Sequence, residues 1–114
     1  MGKMLFREAS AEDFVAFFKV PVSHSFLGIV GVRDGYIEVF GGAFFNHVWG
    51  AFITVAEGVE LTPREYVRGC NKAMGCLQTR VKALYAEAAD TEYSDGFLRH
   101  FGFVPVRGRL YRWN

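Results

Sequence analysis

The sequence predicts one α/β (α+β) domain over residues 1–114. It is built on a single mixed, mostly antiparallel sheet of six to seven strands, with helices on both faces. Three observations predict it. First, 114 residues that are 51% hydrophobic and 22% charged can bury a core without disulfides or metal, and they show no linker, repeat or low-complexity stretch. Second, hydrophobic periodicity reads in the order strand, helix, three strands, helix, strand, helix, two strands. Third, the strand–helix–strand unit at 48–88 calls for a parallel crossover, and the rest of the sheet reads as antiparallel.

Lys3–Arg7 is a short strand candidate. Ser10 then stands as a helix N-cap, with Glu12 and Asp13 in the first turn, where the helix dipole favours carboxylates. Phe14, Val15, Phe17 and Phe18 give this helix an apolar stripe, and Pro21 ends it. Phe26–Arg33 and Tyr36–Phe45 are rich in β-branched and aromatic residues around Asp34-Gly35, a strong hairpin signal. Gly41-Gly42 inside the second strand predicts a bulge or a close backbone approach. Asn46-His47 is a turn, and Val48–Ala56 the third strand of the meander.

Thr62, Pro63 and Glu65 form a capping box with Pro at the first helical position. Tyr66, Val67, Cys70, Ala73, Met74 and Leu77 follow at helical spacing. Val81–Ala88 reads as a strand and Glu92–His100 as a short helix closed by Gly102. Phe103–Val106 and Arg109–Trp113 pair around Arg107-Gly108, with Arg109, Tyr111 and Trp113 on one face and Leu110 and Arg112 on the other.

The net charge of +1 excludes a bulk polycation or polyanion. Residues 1–61 carry four basic and seven acidic side chains, and residues 62–114 nine and five, which reads either as a positive face toward an anionic ligand or as a solvated basic face. The longest apolar run, Phe26–Val32, is far short of the roughly 20 residues that span a bilayer. The N-terminus has no basic-then-apolar signal segment. Cys70 and Cys76 lie six apart, about 120° around one helix, and cannot pair there. Free thiols fit a reducing compartment, so a cytoplasmic location is expected, with no membrane partner. His24, His47 and His100 have no ligand spacing, and no metal site is expected. The closing Arg-Gly-Arg-Leu-Tyr-Arg-Trp interleaves charge with aromatics, but an edge hairpin explains it, and no nucleic-acid partner is expected. Twelve Phe predict a thick aromatic core, or apolar surface covered by a partner or a second copy.

Several stretches resemble the GNAT superfamily of acyl-CoA-dependent N-acyltransferases, whose element order is the same. Met-Leu-Phe-Arg-Glu-Ala-Ser-Ala-Glu-Asp at 4–13 resembles its opening strand and helix start. Ile29–Ile37 resembles its central hairpin, and Phe40-Gly41-Gly42 the continuation. Phe97-Leu98-Arg99-His100-Phe101-Gly102-Phe103 resembles the signature of its last helix. Gly108–Trp113 is similar to the ends of small phage- and prophage-encoded members.

The resemblance implies acetyl-CoA as donor and a primary amine as acceptor. It also implies that Ile53, Thr54 and Val55 pair with the pantetheine amides through their backbone. Thr91 and Ser94 fall where the family has an Asn on that arm and a small residue three further on. The family's proton-donating Tyr falls at Leu98, which leaves Tyr93 and Ser94 as the nearest hydroxyls; Ser94 is equally a candidate helix cap. Glu38 falls where the fold sometimes places a base for the amine. The family's glycine-rich diphosphate turn here reads Val55–Arg64, with one Gly and the acids Glu57 and Glu60. Arg64 and Arg68, one turn apart on the following helix, are the candidates to hold the diphosphate instead. The alternative is a scaffold of the same fold without catalysis, acting as an interaction or virion-associated structural module.

Overall fold

Capping chemistry starts two of the three helices. The computed structural model describes residues 2–114. The strand β1 (Leu5–Glu8) leads into α1 (Ala11–Phe18). Ser10 Oγ accepts the Asp13 N–H, and the Asp13 carboxylate accepts the Ser10 N–H, so the capping box closes on Asp13. The helix stops before Pro21, at Lys19, whose left-handed conformation (φ 63°) caps it.

The strands β2 (Phe26–Arg33), β3 (Tyr36–Asn46) and β4 (Val48–Val55) form the expected meander. Asp34 and Gly35 both take positive φ, 51° and 83°, as a two-residue hairpin with right-handed twist demands. Gly41-Gly42 holds no bulge. A Cβ on Gly42 would collide with the carbonyl oxygen of Leu27, so this glycine permits the close approach of β2. The irregularity falls elsewhere: Gly31 pairs with Val39 and Val32 with Ile37, which leaves Glu38 as the extra residue.

The helix α2 (Pro63–Gln78) starts with the Thr62–Glu65 capping box and Pro63. It is followed by β5 (Leu84–Glu87), which is shorter than the 81–88 expected. The N–H groups of Arg80 and Val81 both close back on the Leu77 carbonyl, so the helix end consumes residues that the strand would have used. The chain finishes with α3 (Ser94–His100), β6 (Val104–Arg107) and β7 (Leu110–Trp113). The last turn sits at Gly108-Arg109, one residue beyond its expected place.

Among the described residues seven strands make one sheet in the order β1-β2-β3-β4-β5-β7-β6, and only β4 and β5 run parallel. Side chains alternate between the faces. On one face Phe14, Phe17 and Phe18 of α1 pack with Phe26, Phe40, Phe44 and Phe52, so seven of the twelve Phe form one cluster. On the other, Met74 and Leu77 of α2 pack with Ala43, Val81, Leu84, Phe103 and Tyr111, joined by Leu98 and Phe101 of α3. The Tyr111 hydroxyl donates to Asp95 and ties α3 to β7. Among the described residues no helix is long and apolar enough to cross a membrane. Cys70 and Cys76 are free thiols, and burial pushes Cys70 up to about 11.

Candidate functional site

The parallel pairing of β4 with β5 consists of one position, Gly50 opposite Tyr85. Beyond it the two strands diverge. Each is held by its other neighbour: β4 by β3 along its whole length, and β5 by β7. Small side chains line the gap (Ala51 on β4, then Ala86, Ala88 and Ala89 on and after β5), so no side chain refills it. The result is a cleft of about 560 Å³ between β4, β5, α2 and α3.

Backbone groups face into this gap. Antiparallel ladder bonds involve alternate residues. The Ala56 N–H donates to the Glu38 carbonyl at 2.8 Å. In the same register Phe52 and Thr54 turn their backbone toward β3, while Ile53 and Val55 turn theirs toward β5. Likewise the Ala88 N–H donates to the Arg109 carbonyl at 2.8 Å, which turns Ala86 toward β7 and Glu87 toward β4. Past Gly50 and Tyr85 these groups meet no strand. They are the unpaired edge on which an extended, amide-bearing chain can add.

The gap also opens on the opposite face of the sheet. A second cleft of about 380 Å³ lies there, walled by Phe44, Val48, Tyr85 and Leu110. Ala51, Phe52, Ala86 and Glu87 border both clefts, so the two meet through the sheet. The Glu87 carboxylate at this junction accepts Arg109 Nη2 at 3.1 Å; both side chains are exposed, and such a pair yields readily to a ligand.

Four residues singled out in the sequence line the first cleft: Ile53, Thr91, Tyr93 and Ser94. Tyr93 is 76% exposed at the rim. Ser94 does not cap α3. It is the first helical residue, Tyr93 holds the N-cap position without a side-chain bond, and the Ser94 and Thr91 hydroxyls bond each other at 2.8 Å. Leu98 also lines the cleft, in the place the resemblance gives to a Tyr.

The other candidates lie outside this cleft. Thr54 and Val55 border a different hollow of about 600 Å³ against Phe17 and Tyr36, and the Thr54 backbone is spent on β3. Glu38, expected as a base, is held at 2.9 Å by Arg33, whose guanidinium also reaches Glu65 at 2.5 Å. The three side chains are only 12%, 20% and 17% exposed, so Glu38 braces the start of α2 against β3. Arg64 is exposed in the first turn of α2. Arg68 lies over the Phe6 ring of β1 at 5.3 Å, so its guanidinium is already engaged.

One side chain in the cleft escaped the sequence reading. Tyr66, counted there as part of the apolar stripe of α2, forms the wall opposite Ser94, with its ring 5.6 Å from Phe97. Burial, with the Cys70 thiol nearby, raises its phenol above the ordinary value, so it keeps its proton at neutral pH and can give it up only to a strong base. The signal was absent because an aromatic at helical spacing reads the same in a core and in a cleft. Among the described residues no three His, Cys, Asp or Glu side chains gather into a group able to hold a metal ion. No protein-family model matches the chain, and no curated protein matches it.

Proposed function

We propose that the chain is a GNAT-like N-acyltransferase that moves an acetyl group from acetyl-CoA to a primary amine. One observation carries the reading: the β4–β5 interruption leaves free backbone groups in a gap that opens on both faces of the sheet. Two reactants entering from opposite faces would meet there. Holding them together supplies most of what a direct attack by an amine requires.

The arm of the donor carries two amides in series. Ile53 and Val55 on β4 and Glu87 on β5 offer the matching backbone groups. When bound, the donor supplies a thioester, an acyl carbon already activated toward an amine. The amine nitrogen forms the new bond to that carbon, and the carbon–sulfur bond breaks. Tyr66, Tyr93 and Ser94 border the cleft; the leaving sulfur takes a hydroxyl proton from one of them, and that oxygen recovers a proton from the acylated nitrogen as it becomes an amide. On the opposite face Glu87 draws the cationic amine toward the junction, where it must shed a proton before attack.

A second reading, an inactive scaffold of this fold, is favoured by Glu65 and Pro63 at the start of α2, where the family binds its diphosphate. Calorimetry with acetyl-CoA, beside a variant that plugs the gap, separates the two. Wild type is expected to bind, and Ala86→Trp to stay folded and lose binding by at least tenfold. No binding at millimolar donor by folded wild type would end the enzyme reading.

A further inference from the structure

Resting on the acyl-transfer reading, we infer that this chain recognises its thioester donor by the pantetheine arm alone and leaves the nucleotide diphosphate in solvent. The start of α2, which the resemblance makes the diphosphate site, is closed from within. Pro63 has no N–H. The Glu65 N–H is taken by the Thr62 hydroxyl at 3.1 Å, and the Tyr66 N–H by the Thr62 carbonyl at 3.0 Å. Of the donors that would cradle an anion at a helix N-terminus, only the Arg64 N–H is left over.

Negative charge already occupies the place. One oxygen of Glu65 accepts the Thr62 N–H at 3.0 Å, and the other accepts Arg33 at 2.5 Å. The same guanidinium is shared with Glu38 at 2.9 Å, so two carboxylates face one cation. The preceding loop adds Glu57 and Glu60, both exposed. Arg68 is drawn to Phe6, and Arg64 is exposed, where salt screens it. A diphosphate brought here would meet like charge and, in the first turn of α2, one free amide donor.

The gap is the opposite case. Ile53 and Glu87 present backbone groups in a cleft walled by Ala51, Ala86 and Phe97, which suits a neutral, slender chain of amides and methylenes, and beyond the cleft the Val55 backbone turns to the same side of β4. Affinity therefore resides where the donor is uncharged. The donors that fit are thioesters of a pantetheine arm, whatever is attached at the far end of that arm.

The test is titration calorimetry of wild type with pantetheine and with coenzyme A, repeated on the Arg64→Ala, Arg68→Ala double variant. The two ligands are expected to bind within threefold of each other, or pantetheine the tighter, and the double variant to bind both within threefold of wild type. Coenzyme A binding more than threefold tighter than pantetheine overturns the inference but leaves the acyltransferase reading standing. So does a selective loss of more than threefold for coenzyme A in the double variant. Failure of both ligands to bind folded wild type removes both.

Discussion

Removing the negative charge of Asp13 should destabilise the protein by an amount that fades as the solution is acidified. Among the described residues Asp13 is the one charged residue in the core, 8% exposed, beside the N-terminus of α1. Its carboxylate accepts Arg7 at 2.6 and 2.9 Å, and the Ser10 backbone N–H at 2.8 Å. The Arg7 guanidinium foremost, then Ser10, holds it below its ordinary 3.8, at about 2, despite burial. At roughly 1.36 kcal/mol per pKa unit that difference is worth at most about 2.4 kcal/mol of folding free energy. Because the Arg7 side chain is 54% exposed, solvent screening brings the working figure to between about 1 and 2 kcal/mol.

The folded pKa lies below the unfolded one, so this stability is fully present above about pH 4 and is lost as the pH falls toward 2. Linkage leaves roughly half of it at pH 3 and roughly a fifth at pH 2. Asp13→Asn keeps the shape and removes the charge. Urea unfolding followed by the fluorescence of Trp49 and Trp113 at pH 7, 4 and 3 measures the difference directly. The expected loss is between about 1 and 2 kcal/mol at pH 7 and roughly half that at pH 3. A difference that stays constant across this range, or that is negligible at pH 7, would refute the ion-pair account of this helix start.

Two further outcomes concern the core. Phe40 is fully buried, with its ring 5.2–6.1 Å from those of Phe14, Phe17, Phe18, Phe26 and Phe52, so Phe40→Ala should cost about 4 kcal/mol in the same assay. Gly42→Ala drives a methyl group into the Leu27 carbonyl, and since backbone must move to admit it, the variant should recover no soluble folded protein; a wild-type far-ultraviolet spectrum and melting temperature would contradict this.

Local chemistry made the order of elements legible. Asp34-Gly35 marks its hairpin because both residues tolerate positive φ, and Thr62-Pro63 with Glu65 marks a helix start because the partners are three residues apart. The parallel placement of β5 beside β4 was legible as well, from the strand–helix–strand unit at 48–88, but that their pairing stops at Gly50 and Tyr85 was not. What the chain hid were the long-range partners. Nothing near Arg68 in sequence says that Phe6 will attract it, and nothing near Glu38 says that Arg33 will share itself with Glu65. Nor does spacing tell that Val81 is used up by the end of a helix, or that Ser94 will bond Thr91 rather than cap. Each depends on two segments meeting, which periodicity does not encode.

The seam at Gly50 and Tyr85 gives β4 an ambiguous standing: interior by its place in the sheet, yet for the stretch beyond Gly50 a bare margin. Bare margins invite other polypeptides, and proteins commonly blunt them with lysines, prolines or bulges. Here none of those devices is present between Ala51 and Val55. Depth takes their place. With α3 on one side and β5 and β7 beyond, a thin unbranched chain reaches this margin more readily than a whole strand with side chains on both faces. The same enclosure that makes the margin a receptacle thus keeps it from becoming a seed for aggregation, and truncating the chain before β5 would expose it to both fates at once.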